Sequence, residues 1–227
     1  SNPVRISQVY GGGGGYYTCD YVELFNDSET PADIGGWSVQ YGTSTGSVFG
    51  SATYNLARIP SGATIPACGY YLIRGYCSTA GAALPVTPDL VPAAGWTFNL
   101  GATDGKLALF GDQVTGRTCA TAQSSGMLVD LVGYGTANCY ETAAAPAPDN
   151  NSVRGRLLDG AVDTDDNSAD LGVVAQPWPL HNSASPPNRD GASSANPNPA
   201  ATLAGLRPYS RAAIRATRQA RGRRRAP

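Results

Sequence analysis

The stretch VRISQVYGGGGGYYTCDYVELFNDSETPADIGGWSVQYG, residues Val4–Gly42, decides the fold. It opens with an apolar segment, Val4–Tyr10, and runs through five glycines, Gly11–Gly15. A second β-type segment, Asp20–Asn26, and the Gly-Trp segment Gly36–Tyr41 follow. Val, Ile, Tyr and Phe fit a pleated, half-buried surface, and the glycines punctuate it, so the block reads as one edge of a β-sandwich. Val4, Ile6 and Val9 depart from strict alternation, which predicts a bulge near Gln8. The glycine run superficially resembles a phosphate-binding loop, but that loop needs a lysine and a following helix. Here Tyr16, Tyr17 and a strand follow, and the only lysine is Lys106. The run is therefore read as a flexible connection between strands.

Further β-type runs recur at Ala52–Ile59, Tyr70–Tyr76, Lys106–Phe110, Leu128–Tyr134 and Ser152–Arg156. No segment up to residue 200 carries a helical stripe. A long connection with apolar–Pro turns links Cys77 to Phe98, with Trp96 expected to pin it. The chain has 227 residues, 41 % hydrophobic content, 28 Gly and 17 Pro, which suits an all-β domain with appendages. Three parts are expected: a body over residues 1–182, a Pro/Ser/Asn-rich linker or strap over 183–204, and an Arg-rich tail over 205–227.

The net charge of −1 conceals an asymmetry. Residues 1–204 hold eight basic against 17 acidic side chains, a net −9, while residues 205–227 hold eight arginines and no acid. Those arginines are Arg207, Arg211, Arg215, Arg218, Arg221, Arg223, Arg224 and Arg225. Guanidinium groups at this density suit phosphates, sulfated glycans, lipopolysaccharide or an acidic protein face. Like charges at i,i+4 oppose an isolated helix, so the tail is expected to order on an anionic partner, including the acidic body of a neighbouring copy.

No apolar run reaches the roughly 18 residues that span a bilayer. A start at Ser1, running at once into a strand, reads as a mature N-terminus left after signal-peptide removal. Five cysteines without a CxxC pattern point to disulfides in an oxidising compartment, hence to a secreted or surface-exposed protein. Cys119 and Cys139 flank one strand and can close a 20-residue loop, a bridge that stabilises by roughly 3 kcal/mol. Cys68 and Cys77 bracket the strand Tyr70–Tyr76, which holds their Cα atoms about 30 Å apart at about 3.3 Å per residue. Cys19 is therefore expected to pair with Cys68 or Cys77, leaving the other as a buried apolar thiol or an intermolecular link.

Few residues offer chemistry. The run DTDDNSAD, Asp163–Asp170, concentrates hard oxygen donors, and Asp163, Asp165, Asn167 and Asp170 are candidate Ca²⁺ ligands. The spacing imitates the start of an EF-hand loop but lacks its sixth-position Gly and twelfth-position Glu, and a solvated Asx turn accounts for the same residues. His181 is the only histidine, so no histidine triad or two-histidine metal centre can form within one chain. It is expected on an exposed loop. Glu23 lies between Tyr21 and Phe25 on one strand face and reads as a hydrogen-bonded structural carboxylate.

In sum the block VRISQVYGGGGG…DYVELFNDSETPADIGGWSVQYG resembles the lamin-tail-like domains of secreted bacterial proteins. Ile65–Ile73, Val129–Tyr140 and Asn151–Asp170 extend the resemblance, which spans residues 3–182. It implies an immunoglobulin-like β-sandwich, a binding or scaffolding module often attached to extracellular nucleases or phosphatases. No catalytic domain is expected within these 227 residues, and the arginine tail lies outside the pattern. The expected function is non-enzymatic binding, adhesion or head-to-tail assembly. The alternative is a nucleic-acid-binding accessory role in extracellular DNA uptake or degradation, acting through the tail.

Overall fold

A computed structural model describes residues 2–93, 98–175 and 177–189. Eleven strands and two short helices follow in chain order among them. They are β1 Val4–Tyr10, β2 Cys19–Asn26, β3 Ala32–Asp33, β4 Ser38–Gly42, β5 Leu56–Arg58, β6 Thr64–Ile65, β7 Tyr70–Cys77 and β8 Gly105–Phe110. After α1 Cys119–Ser124 come β9 Leu128–Tyr134, β10 Ser152–Arg156, α2 Asn167–Asp170 and β11 Leu171–Ala175. Two antiparallel sheets, ordered β11-β10-β1-β2-β7 and β5-β4-β8-β9, face each other, and the pair β3-β6 stands beside them. The molecule is an immunoglobulin-like β-sandwich, as the sequence led us to expect.

The inner faces meet in one apolar core. Val4, Ile6, Val9, Val22, Leu24 and Ile73 come from the larger sheet and Val39, Leu107, Leu109 and Val132 from the smaller one. Removal of these side chains from water is the main favourable contribution to folding. The outer faces are covered too. Tyr10, Tyr17, Tyr21, Leu72, Val153 and Val174 lie beneath Trp178 and Leu180, while Ala108, Phe110 and Leu131 lie beneath α1.

The β1–β2 register shifts between Ile6 and Gln8, leaving Ser7 as the extra residue one position ahead of Gln8. The glycine run does join β1 to β2, but it is a packed connection and not a loose one. Tyr10 Oη donates to Gly12 O at 2.8 Å, and Gly13 N–H donates to Asp20 Oδ1 at 2.8 Å. A Cβ on Gly12 or Gly15 would run into the carbonyl of Asn150, so only glycine permits this approach.

Cys19 and Cys77 are register partners on neighbouring strands and form a disulfide, and Cys119 bridges Cys139. The pairing of Cys19 with Cys68 is thereby excluded: Cys68 is buried at the opposite end of β7 and belongs to neither bridge. On the loop-entropy model the 58- and 20-residue separations stabilise the fold by about 4 and about 3 kcal/mol. The two helices span six and four residues, too short to show as a stripe in the sequence. Trp96 lies outside the described residues.

Candidate functional site

The polar groups worth testing for chemistry lie inside the sandwich. In β10, SVRGR, alternation sends Arg154 and Arg156 to the inner face, and Arg154 stands opposite the core residue Val9. Arg156 is fully buried and ringed by carboxylates. Its Nη2 lies 3.1 Å from Asp130 of β9, and its Nη1 lies 3.3 Å from Asp163 and 3.5 Å from Asp170. Its Nε donates to Ile6 O at 2.9 Å. Asp130 in turn accepts from the Ile6 N–H at 2.6 Å, in the turn of chain where the bulge interrupts the ladder.

Burial pushes the Asp130 and Asp170 carboxyls up against the opposing pull of Arg156. Burial, seconded by Asp130, raises Glu141 to about 9, so it is protonated at neutral pH. Burial alone would lower the Arg156 pKa, but the surrounding acids outweigh it and the group stays charged. Asp130, Glu141 and Asp163 each bring one oxygen within 4.8 Å of the others, a spacing that fits a cation. The positive charge supplied there by the chain itself is Arg156.

The four proposed Ca²⁺ ligands are divided by this arrangement. Asp163 alone joins the cluster. The Asn167 amide is spent as a piece of strand: its Oδ1 accepts from Gly133 N–H at 2.8 Å, and its Nδ2 donates to Leu131 O at 2.8 Å and Glu141 Oε2 at 3.0 Å. Asp170 accepts from the Thr164 N–H and hydroxyl at 2.7 and 2.8 Å. Asp165 turns the chain at φ 60° and its carbonyl accepts from the Thr142 hydroxyl. The run DTDDNSAD folds onto the sandwich, with the Asn167 amide and the Asp170 carboxylate already bonded to neighbouring groups. Sequence reasoning missed Asp130, Glu141 and Arg156; the available signal was an acid inside the apolar strand LVDLVGY and two arginines inside SVRGR.

Two residues earlier, Arg154 is equally buried, but its Nε, Nη1 and Nη2 find no hydrogen-bond partner among the described residues. Burial draws its pKa down to about 10. Asp20 is intermediate. It accepts from Gly13 N–H and Leu100 N–H at 2.8 and 2.9 Å, and burial raises it to about 6.

His181 is not on an exposed loop. Residues 177–189 cross the outer face of the larger sheet as a strap. Trp178 and Leu180 are buried there, and Gln8 Nε2 donates to Pro179 O at 2.7 Å. The His181 side chain is 13 % exposed, its ring stacks on Tyr70 at 4.2 Å, and its N–H donates to Glu23 Oε2 at 2.7 Å with Nδ1 3.2 Å from the same oxygen. Burial lowers the imidazole pKa, but the Glu23 contact overrides it and the net shift is upward. Glu23, fully buried, also accepts from Ser7 Oγ at 2.6 Å and Gln8 Nε2 at 3.2 Å, which makes it the structural carboxylate the sequence suggested. Ser183 N–H and Oγ donate to Asp89, and Asn188 N–H donates to Cys68 O at 2.7 Å. The tail arginines, Arg207 to Arg225, lie outside the described residues.

Two antiparallel sheets and two disulfides, with buried Arg156 and Glu23 spent on internal bonds, define a β-sandwich module. A family model for the Lamin Tail Domain matches residues 1–136, and the chain belongs to that family of non-enzymatic immunoglobulin-like domains. The match ends just after β9, short of the 3–182 span of the sequence resemblance, although β10 and β11 complete the same sheet. No curated protein matches the chain. No helix among the described residues is long and apolar enough to cross a membrane.

Proposed function

We propose that the protein is a secreted or surface-displayed module that works by binding and assembly and performs no chemistry of its own. One observation carries this reading: the only histidine and the only lysine are both tied into the fold. His181 clasps Glu23, and buried Lys106 donates to Gly46 O and to Asn138 Oδ1. Both disulfides accord with an oxidising compartment. The acidic body and the eight arginines of the tail then supply the means of contact, tail of one copy to body of the next.

The test compares the full chain with a full-length variant in which all eight tail arginines are glutamine. Sedimentation velocity of the natural chain should show larger species at low salt than at about 0.5 M salt, where charges are screened beyond a few ångströms. The variant should sediment alike at both. Salt-sensitive association that survives the substitution removes the head-to-tail reading. Steeply salt-dependent binding of DNA, lost in the variant, would replace it with the nucleic-acid role.

A further inference from the structure

Among the described residues the two sheets present four edges, and three are closed or cut short. Along β7, Leu90 N–H donates to Leu72 O, Arg74 N–H to Leu90 O and Tyr76 N–H to Phe98 O. Along β9, the Asn167 amide takes the place of a strand residue and Ala145 pairs beside Tyr134. The β5 edge is three residues long and carries Arg58. The fourth edge is β11, LGVVA, which has neither charge nor proline. Sheet edges in monomeric proteins are blunted by charge, proline, shortness or cover, and this one has none of them. No described residue pairs with its outer side.

The ladder fixes which groups face outward. Leu157 N–H donates to Asp170 O at 2.8 Å, so Gly172 and Val174, in step with Asp170, aim their N–H and C=O groups at β10. Leu171, Val173 and Ala175 therefore aim theirs away from the sheet. The Leu171 N–H is already given to Asn167 O, which leaves its carbonyl and both groups of Val173 and Ala175.

We propose that β11 pairs antiparallel with β11 of a second copy, about a two-fold axis at Val173, which joins two five-stranded sheets into one. In that register each Val173 exchanges two hydrogen bonds with Val173 of the second copy. The Ala175 N–H of each chain meets the Leu171 carbonyl of the other, and because the Leu171 N–H is already given to Asn167 O, the Ala175 carbonyl is the one available group that this pairing leaves out.

Shape and charge favour a second copy over a foreign strand. Gly172 stands opposite Val174 of the other chain, in the non-hydrogen-bonded pairing where side chains lie closest. A Cβ on Gly172 would meet nothing within 4 Å, so the space a valine needs is open. Val173, 39 % exposed, meets its own copy at the axis and is covered. The antiparallel sense sends the acidic turns at Asp165 and Asp166 to opposite ends of the paired strands, so these acids of the two copies do not face one another.

The pairing is separate from the tail contact above and does not depend on it. In 0.5 M salt the full chain, and equally the variant with eight glutamines, should sediment as a concentration-dependent dimer. Val173→Lys in the full chain sets like charges directly opposite each other and should weaken dimerisation at least about tenfold. Val114→Lys, at an exposed site away from β11, should leave the dimer intact. A Val173→Cys chain should oxidise to a covalent dimer, because facing Cα atoms of such a pair lie about 5.5 Å apart, within disulfide reach. A natural chain that is monomeric at high salt up to about millimolar concentration overturns the proposal. So does a dimer indifferent to Val173→Lys, or a Val173→Cys chain that stays monomeric on oxidation.

Discussion

Arg154 and Arg156 occupy the same strand, face the same inter-sheet space and are both removed from water, yet they meet opposite surroundings. Arg156 lies among Asp130, Asp163 and Asp170, whereas Arg154 has no acceptor for its guanidinium among the described residues. Asp20 falls between them, with two backbone N–H donors and no cation. The difference teaches that burial alone does not set the worth of a charge in this core. What the neighbouring chain segments bring to it does. The loop and α2 that follow β10 deliver acids to Arg156, and no described segment delivers one to Arg154.

Breaking the satisfied site should have the largest effect. Arg156→Met leaves Asp130 and Asp170 buried without their cation and should lower stability by about 3–5 kcal/mol in denaturant titration. A loss below about 1 kcal/mol would mean the acids shed their charge at little cost. Arg154→Met should act in the other direction, raising stability by about 1–3 kcal/mol as the cost of an unbonded buried group disappears. If that variant is less stable than the natural chain, Arg154 has a partner in solution and the contrast between the two arginines fails.

Asp20 gives the intermediate case a pH signature. Its folded-state pKa, about 6, lies above the ordinary 3.8, so the folded protein holds the proton more tightly than the unfolded chain. The stability this group adds is in place below pH 3.8 and is lost as pH rises through about 6. Asp20→Asn should remove that decline, and the difference in melting temperature between the two proteins should change sign or slope only inside this window. A parallel offset at every pH would show that Asp20 does not titrate there.

The smallest effect concerns calcium. Because Arg156 already supplies positive charge, millimolar Ca²⁺ should raise the melting temperature of Arg156→Met by about 2–4 °C and that of the natural chain by less. An equal or larger rise in the natural chain would indicate a cation held beside Arg156 by Asp130, Glu141 and Asp163.

Much of the scaffold was legible. Strands β1, β9 and β10 follow from apolar runs bounded by Gly, Asn and Asp, and the Cys119–Cys139 bridge follows from spacing. Strand β11 escaped because its five residues begin directly after a one-turn helix inside a stretch read for its acids. The role of Asn167 escaped for a different reason. A side-chain amide that replaces a strand residue is chemically indistinguishable, in sequence, from one that binds an ion or caps a turn. His181 was misplaced because a histidine in irregular backbone is usually solvated, and no local pattern reveals that Glu23, 158 positions earlier, is within reach. Contacts of that separation are set by the whole fold.

The disulfides acquire a mechanical meaning once the chain is imagined under tension from its C-terminal side. A pull on Arg189 would first strip the strap, held by hydrogen bonds to Glu29, Asp89 and Glu23 and by the buried Trp178 and Leu180. It would then unzip β11 from β10 one pair at a time, the weak direction for a β-ladder. The chain between Cys19 and Cys77, 58 positions apart, and that between Cys119 and Cys139, 20 positions apart, cannot be drawn out at all. The slack such a module releases under load is therefore capped by covalent bonds, whatever becomes of its sheets.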